Sequence, residues 1–216
     1  MDTQSQAILV TAVTLVLGWF AIGITRNIRR GNAVLRWMQG GLPRIGERTT
    51  LRWLGSSAVE LGIDKAKSPF RKVDLLIVME ARDVPWFWLL GRLHHRRDML
   101  IVRGQLTTAP RFEFDVFAPN SWSEQQADRT DAAQWESEPL DGANFRAPAP
   151  TRSLSRPIAL ALLTSARRAW PVVWRLSSRR EFPQIELQVP LPDTNRADAA
   201  QFFKELCDLA EKFNGR

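Results

Sequence analysis

His94 and His95 are the only two histidines in the chain, and imidazole is the usual side chain for metal ligation and for proton transfer near neutral pH. A metal-binding pair on a helix sits at i and i+4, where both rings share a face; adjacent residues point apart. Arg96 and Arg97 follow at once and repel a cation, so no metal site is expected. Glu80 and Asp83 fall at the end of a predicted strand, where a general acid or base is well placed. No nucleophile or orienting partner accompanies them, and Asp83 suits the N-cap of the next segment. Ser56-Ser57 and Ser177-Ser178 read as turn residues. The single cysteine, Cys207, excludes an internal disulfide and a multi-cysteine zinc site, fits a reducing compartment, and lies near an apolar helical stripe where burial is expected. No G-x-S-x-G, Walker or G-x-G-x-x-G pattern occurs. The expectation is a protein without catalytic residues or cofactor, the alternative being an enzyme without a recognisable motif.

The residues that could do recognition chemistry are basic and aromatic. Trp86 and Trp88 lie in the short apolar run Asp83 to Arg92, followed by Arg92, Arg96 and Arg97. Arg26, Arg29 and Arg30 form a second basic cluster. Guanidinium groups match phosphate and carboxylate geometry, and tryptophan favours a membrane–water boundary. These eight residues are the candidate surface for an anionic membrane or a partner protein. A core helix is the competing reading of the Trp86–Trp88 segment. Basic and aromatic side chains also suit single-stranded nucleic acid, kept as an alternative and expected to be the lesser one.

The element that would position this surface is an apolar run, Ala7 to Ile24, with no charged residue between Asp2 and Arg26. Eighteen helical residues rise about 27 Å, close to the hydrocarbon thickness of a bilayer. A cleaved signal peptide wants positive charge before its core and small residues after it, and neither is present. The expectation is a retained transmembrane helix at residues 7–25. Three arginines follow it and no basic residue precedes it, which puts the short N-terminus (residues 1–6) outside and the remainder in the cytoplasm of a cell with an inner membrane.

The net charge of +7 is unevenly spread. Residues 26–103 hold 16 basic and 7 acidic residues, residues 104–151 hold 3 and 8, and residues 152–216 hold 11 and 7. The basic part directly follows the span, where each charge near an anionic leaflet contributes up to ~1 kcal/mol.

Residues 26–48 read as a basic juxtamembrane segment, within which Gly31–Gly46 opens with a short helical pattern ended by Gly40, Gly41 and Pro43, read as a turn or short helix near the headgroups or equally as a plain linker. Strand patterns follow at 49–54, 58–63, 73–81, 99–106 and 112–117, the last two read as a hairpin with Phe112, Phe114 and Val116 inward and Glu113 and Asp115 outward. Residues 118–155 are acidic, proline-containing and poor in apolar residues, and read as a mobile loop inserted in the domain. A helix at 158–170, strands at 172–176 and 185–189, and an amphipathic helix from about Arg196 to Phe213, capped by Asn195, complete the chain. Residues 49–117 and 156–214 are thus expected to form one α+β domain, a mainly antiparallel sheet with a C-terminal helix. This element order resembles that of small helix-capped barrels such as pleckstrin-homology-like domains, in order alone.

Overall fold

The computed structural model describes residues 2–127 and 135–213. Met1 of the expected outer segment, residues 128–134 of the expected insertion and residue 214 of the expected domain lie outside them. The fold is α+β. A long N-terminal helix, α1 (Thr3–Gln39), leads into a nine-stranded antiparallel sheet.

Helix α1 contains no proline. Thr11, Thr14 and Thr25 each return their hydroxyl to the carbonyl four residues earlier at 2.8 Å, so the threonine hydroxyls in and next to the apolar run are satisfied within the helix. The helix is long and apolar enough to cross a membrane. It runs through the basic cluster without a break and takes in the short helical pattern expected after Gly31. It continues to Gln39 and buries Gly23, Asn27, Gly31, Val34 and Met38, a stripe at helical spacing, against the rest of the protein. The break then falls at Gly40 and Gly41, before the 3-10 turn Leu42–Arg44.

The strands are β1 (Thr50–Leu54), β2 (Ala58–Ile63), β3 (Phe70–Val78), β4 (Met99–Leu106), β5 (Phe114–Phe117), β6 (Ser137–Leu140), β7 (Ala143–Arg146), β8 (Arg175–Ser178) and β9 (Ile185–Pro190). Their order is β1-β2-β3-β4-β9-β8-β5-β7-β6. Strands β1 and β6 sit at opposite edges, so the sheet is open and the helix-capped barrel does not form. Strands β4 and β5 are not a hairpin. Strand β4 pairs with β3 and β9, while β5 pairs with β8 and β7. The segment expected to be a mobile loop contributes β6 and β7, joined through Asp141 (φ 50°) and Gly142 (φ 70°), a two-residue turn whose positive φ values suit a tight hairpin.

The helices are α2 (Pro85–Leu93), α3 (Trp122–Ala127), α4 (Arg152–Ala169) and α5 (Ala199–Phe213). Helix α4 starts six residues before the expected helix at 158 and carries Pro157 in its second turn. Helix α5 is capped by Asp198, whose Oδ1 accepts the Ala200 N–H at 2.9 Å, rather than by Asn195.

One sheet face is apolar. Leu61, Leu75, Val102, Leu187, Leu176, Val116 and Phe145 stand in register across seven strands and are buried in the core with residues of α1, α4 and α5. The other face carries a row in the same register: Asp74, Arg103, Glu186, Ser177, Asp115 and Arg146. Arg103 Nε lies 2.9 Å from Glu186, and Arg175 bridges Glu186 at 3.0 Å and Asp115 at 3.2 Å. Asp115, which alternation placed outward, is fully buried in this network, with Arg179 as a further partner. Helix α3 lies over this face through a hydrogen bond from Ser123 to Gln188.

Candidate functional site

The β3–β4 connection holds α2 against α1 near the end of the apolar run. Trp19 Nε1 donates to the Arg82 carbonyl at 2.9 Å, and the Trp19 and Trp88 rings lie 6.1 Å apart. Gly23 permits the approach: a Cβ there would stand 2.3 Å from the Arg82 oxygen and 2.5 Å from Asp83 Cα. One turn on, Asn27 Nδ2 donates to the Glu80 carbonyl at 3.0 Å, and its Oδ1 accepts from Arg82 at 3.1 Å.

Beneath this contact lies a cluster of ions. Arg82 grips both oxygens of Asp98 at 3.0 Å each, and Asp98 also accepts the Glu80 N–H at 2.8 Å and meets Arg30 Nε at 2.8 Å. Burial pushes the Asp98 carboxyl up, but the Arg82 hydrogen bonds, the Glu80 N–H and the charges of Arg82 and Arg30 outweigh it and hold the group below its ordinary value. Glu80 is almost fully buried. It accepts from Trp88 Nε1 at 2.7 Å and lies 3.5 Å from both Arg82 and Arg92. Arg92 also covers the Trp88 ring at 5.1 Å.

A cleft of about 500 Å³ opens between α1 and α2, lined by Trp19, Ile22, Arg26, Glu80, Trp88 and Arg92 among others. Arg26 is exposed and makes no hydrogen bond or ion pair with any described residue.

Helix α2 has an unusual orientation. Its N-cap is Val84, without a side-chain cap; Asp83, expected in that role, instead accepts from Ser56 Oγ at 2.8 Å. Trp88 and Arg92 turn toward the cleft, while Trp86, Phe87, Leu89, Leu90 and Leu93 are 50–66% exposed. At 3.6 residues per turn these five cover an arc of about 160°. The helix therefore packs its less apolar side on the protein and shows its apolar side outward, the reverse of a helix covering a soluble core.

The candidate residues are thus divided. Arg26, Trp88 and Arg92 meet at the cleft, and Trp86 lies on the exposed face of α2. Arg30 is tied to Asp98, while Arg29 is exposed on the flank of α1. Arg96 turns to α3 and lies over the Trp122 ring at 5.5 Å; Arg97 donates back to the Arg92 and Arg96 carbonyls. Trp19, Asn27, Arg82 and Asp98 complete the corner, and sequence reasoning missed all four. Trp19 was visible as a polar-tipped residue inside an apolar run. The other three carry no local signal, because the partners that fix them at the corner lie 16 (Arg82 to Asp98) to 68 (Asp98 to Arg30) residues away. His94 and His95 are both exposed, His95 at a positive φ of 58°.

The chain matches no known protein family and no curated protein sequence.

Proposed function

We propose that the protein is a single-pass membrane-anchored binding module. Helix α1 crosses the inner membrane with its N-terminus outside, and the cytoplasmic domain is held against the anionic leaflet. The observation that carries this reading is the outward apolar face of α2, fixed by Trp19 beside the end of the apolar run of α1. From Trp19 to Ile24 the helix rises about 7.5 Å, so α2 stands beside the last turns of the span, in the boundary layer where acyl chains meet headgroups. Helix α2 then lies in that layer as an interfacial helix, its five apolar side chains in the acyl boundary and Arg92 among the headgroups. Orientation rests on Arg26, Arg29 and Arg30 following the span. The function is recognition of the membrane surface, together with whatever protein the domain presents there, rather than catalysis. The nucleic-acid alternative loses ground because Arg103, Arg175 and Arg179 on the polar sheet face are already matched by Glu186 and Asp115.

The test is spin-label accessibility in the full chain reconstituted in bilayers. On a Cys207→Ser background, a label at Leu93→Cys is expected to collide with oxygen and be shielded from a water-soluble nickel reagent. A label at Lys204→Cys, on the exposed side of α5, shows the opposite preference. Equal access of the nickel reagent to both positions refutes the interfacial placement of α2.

A further inference from the structure

The cleft between α1 and α2 has a composition that a general basic coat does not explain. We propose that it holds the phosphate of one anionic phospholipid drawn from the leaflet, with Arg26 and Arg92 as its two guanidinium contacts. This rests on the membrane placement of α2 proposed above and names the ligand of that corner.

Three observations support it. First, charge: four guanidinium groups, on Arg26, Arg30, Arg82 and Arg92, meet only two carboxylates, on Glu80 and Asp98. Asp83 adds a third carboxylate nearby, and the corner is still cationic. Second, the surplus is not evenly distributed. Arg82 and Arg30 are committed to Asp98, whereas Arg26 has no partner among the described residues and Arg92 holds Glu80 only at 3.5 Å. Of the three arginines in the cleft lining, the unmatched donors are therefore Arg26 on α1 and Arg92 on α2. Third, the walls are amphipathic. Trp19 and Ile22 belong to the apolar run, and Trp88 packs against Trp19 in the cleft lining. A phosphodiester at the arginines would leave its glycerol and first acyl carbons against these apolar surfaces. A soluble anion would use the arginines and leave the apolar walls uncovered. Glu80 deepens the selectivity. Its buried carboxylate, in the same lining, disfavours a second negative charge, which suits a singly charged phosphodiester.

The experiment uses the full chain in nanodiscs of phosphatidylcholine doped with phosphatidylglycerol, with protein-associated lipid counted by native mass spectrometry. The wild type is expected to retain phosphatidylglycerol saturably, and raised salt removes this only in part, because the site is partly desolvated. Arg26→Gln with Arg92→Gln lowers affinity by at least about tenfold. Arg96→Gln with Arg97→Gln, which removes equal charge outside the cleft, changes it by less than about twofold. Arg26→Gln alone, which breaks no hydrogen bond or ion pair among the described residues, lowers affinity and keeps the test independent of folding. Glycerol 3-phosphate at millimolar concentration does not compete. Equal losses in the two double variants would show diffuse surface attraction and overturn the proposal, as would retention of no phosphatidylglycerol. Competition by glycerol 3-phosphate would make it a soluble-anion site and also overturn it. A chain that keeps its Leu93→Cys label shielded yet retains no lipid refutes only the cleft; an aqueous label refutes the underlying placement.

Discussion

Burial alone would raise the Asp98 carboxyl, yet two Arg82 N–H groups, the Glu80 N–H and the charges of Arg82 and Arg30 hold it below the ordinary 3.8. A carboxylate with a depressed folded-state pKa contributes stability that is present above its unfolded value and is lost as pH falls through the folded one. Asp98 therefore stabilises the α1–α2 corner at neutral pH and ceases to do so in acid, below about pH 4. Removing its side chain takes both Asp98 hydrogen bonds from Arg82, whose one remaining carboxylate contact is the longer one to Glu80 at 3.5 Å, a loss of about 3 kcal/mol. In detergent Asp98→Ala is expected to lower the melting temperature by roughly 6–12 °C at neutral pH. The gap between variant and wild type should close as pH falls below about 4. Thermal unfolding followed by circular dichroism at a series of pH values checks both, and a gap that stays constant into acid would show that Asp98 acts through packing alone. Cys207 is the opposite case: burial, with Asp208 and Glu211 nearby, pushes its thiol up, so it is protonated at neutral pH and poorly nucleophilic.

At the scale of the element, α1 works as two helices joined without a break. Its first half exposes Ile8, Leu9, Val13, Leu15 and Val16, while its second half presents the stripe Gly23, Asn27, Gly31, Val34 and Met38. Glycine at the first and third of these positions lets other groups approach closely: the Arg82–Asp83 backbone at Gly23, and Trp53 at Gly31, where a Cβ would stand 2.7 Å from the ring. Gly23→Val meets backbone that has no room to move, so the expected result is release of α1 from the β3–β4 connection at a cost of about 1–3 kcal/mol. Amide hydrogen exchange should show faster exchange at Trp88 and the rest of α2, with the strands β2, β3 and β4 unaffected. Unchanged protection in α2 would mean that Trp19 and Trp88 do not hold it. The sequence made some of these elements legible and others not, for physical reasons. Period-two alternation in Ala58–Ile63 and Ile185–Val189, and the apolar stripe of α5, depend on neighbours a few residues away and could be read directly. Strands β6 and β7 have few apolar residues, so periodicity missed them, although Asp141-Gly142 was a hairpin signal. The run Trp86 to Leu90 announced an apolar helix, but which side faces out is decided by Trp19 bonding to a carbonyl 63 residues away. No window along the chain contains that information.

For the whole molecule, an unbroken α1 means that the rotation of the apolar run sets the rotation of the domain. Trp19 and Gly23 meet the β3–β4 connection, and Val34 and Met38 sit in the core, all on one continuous helical face. A single alanine inserted between Thr25 and Arg26 turns the two halves by about 100° relative to each other and lengthens the helix by about 1.5 Å. Val34 and Met38 are fully buried, so the core keeps its register and the misalignment falls on Trp19 and Gly23. The expected outcome is a folded sheet with α2 detached from α1. A label at Leu93→Cys on the Cys207→Ser background then becomes accessible to the nickel reagent while the melting temperature falls only modestly. A four-residue insertion turns the halves by about 40°, modulo a full turn, but lifts the domain by about 6 Å, and should recover shielding only in part. A flexible tether between span and domain would make both insertions silent. The two insertions therefore distinguish a domain held in one orientation on the bilayer from one that merely hangs beneath it.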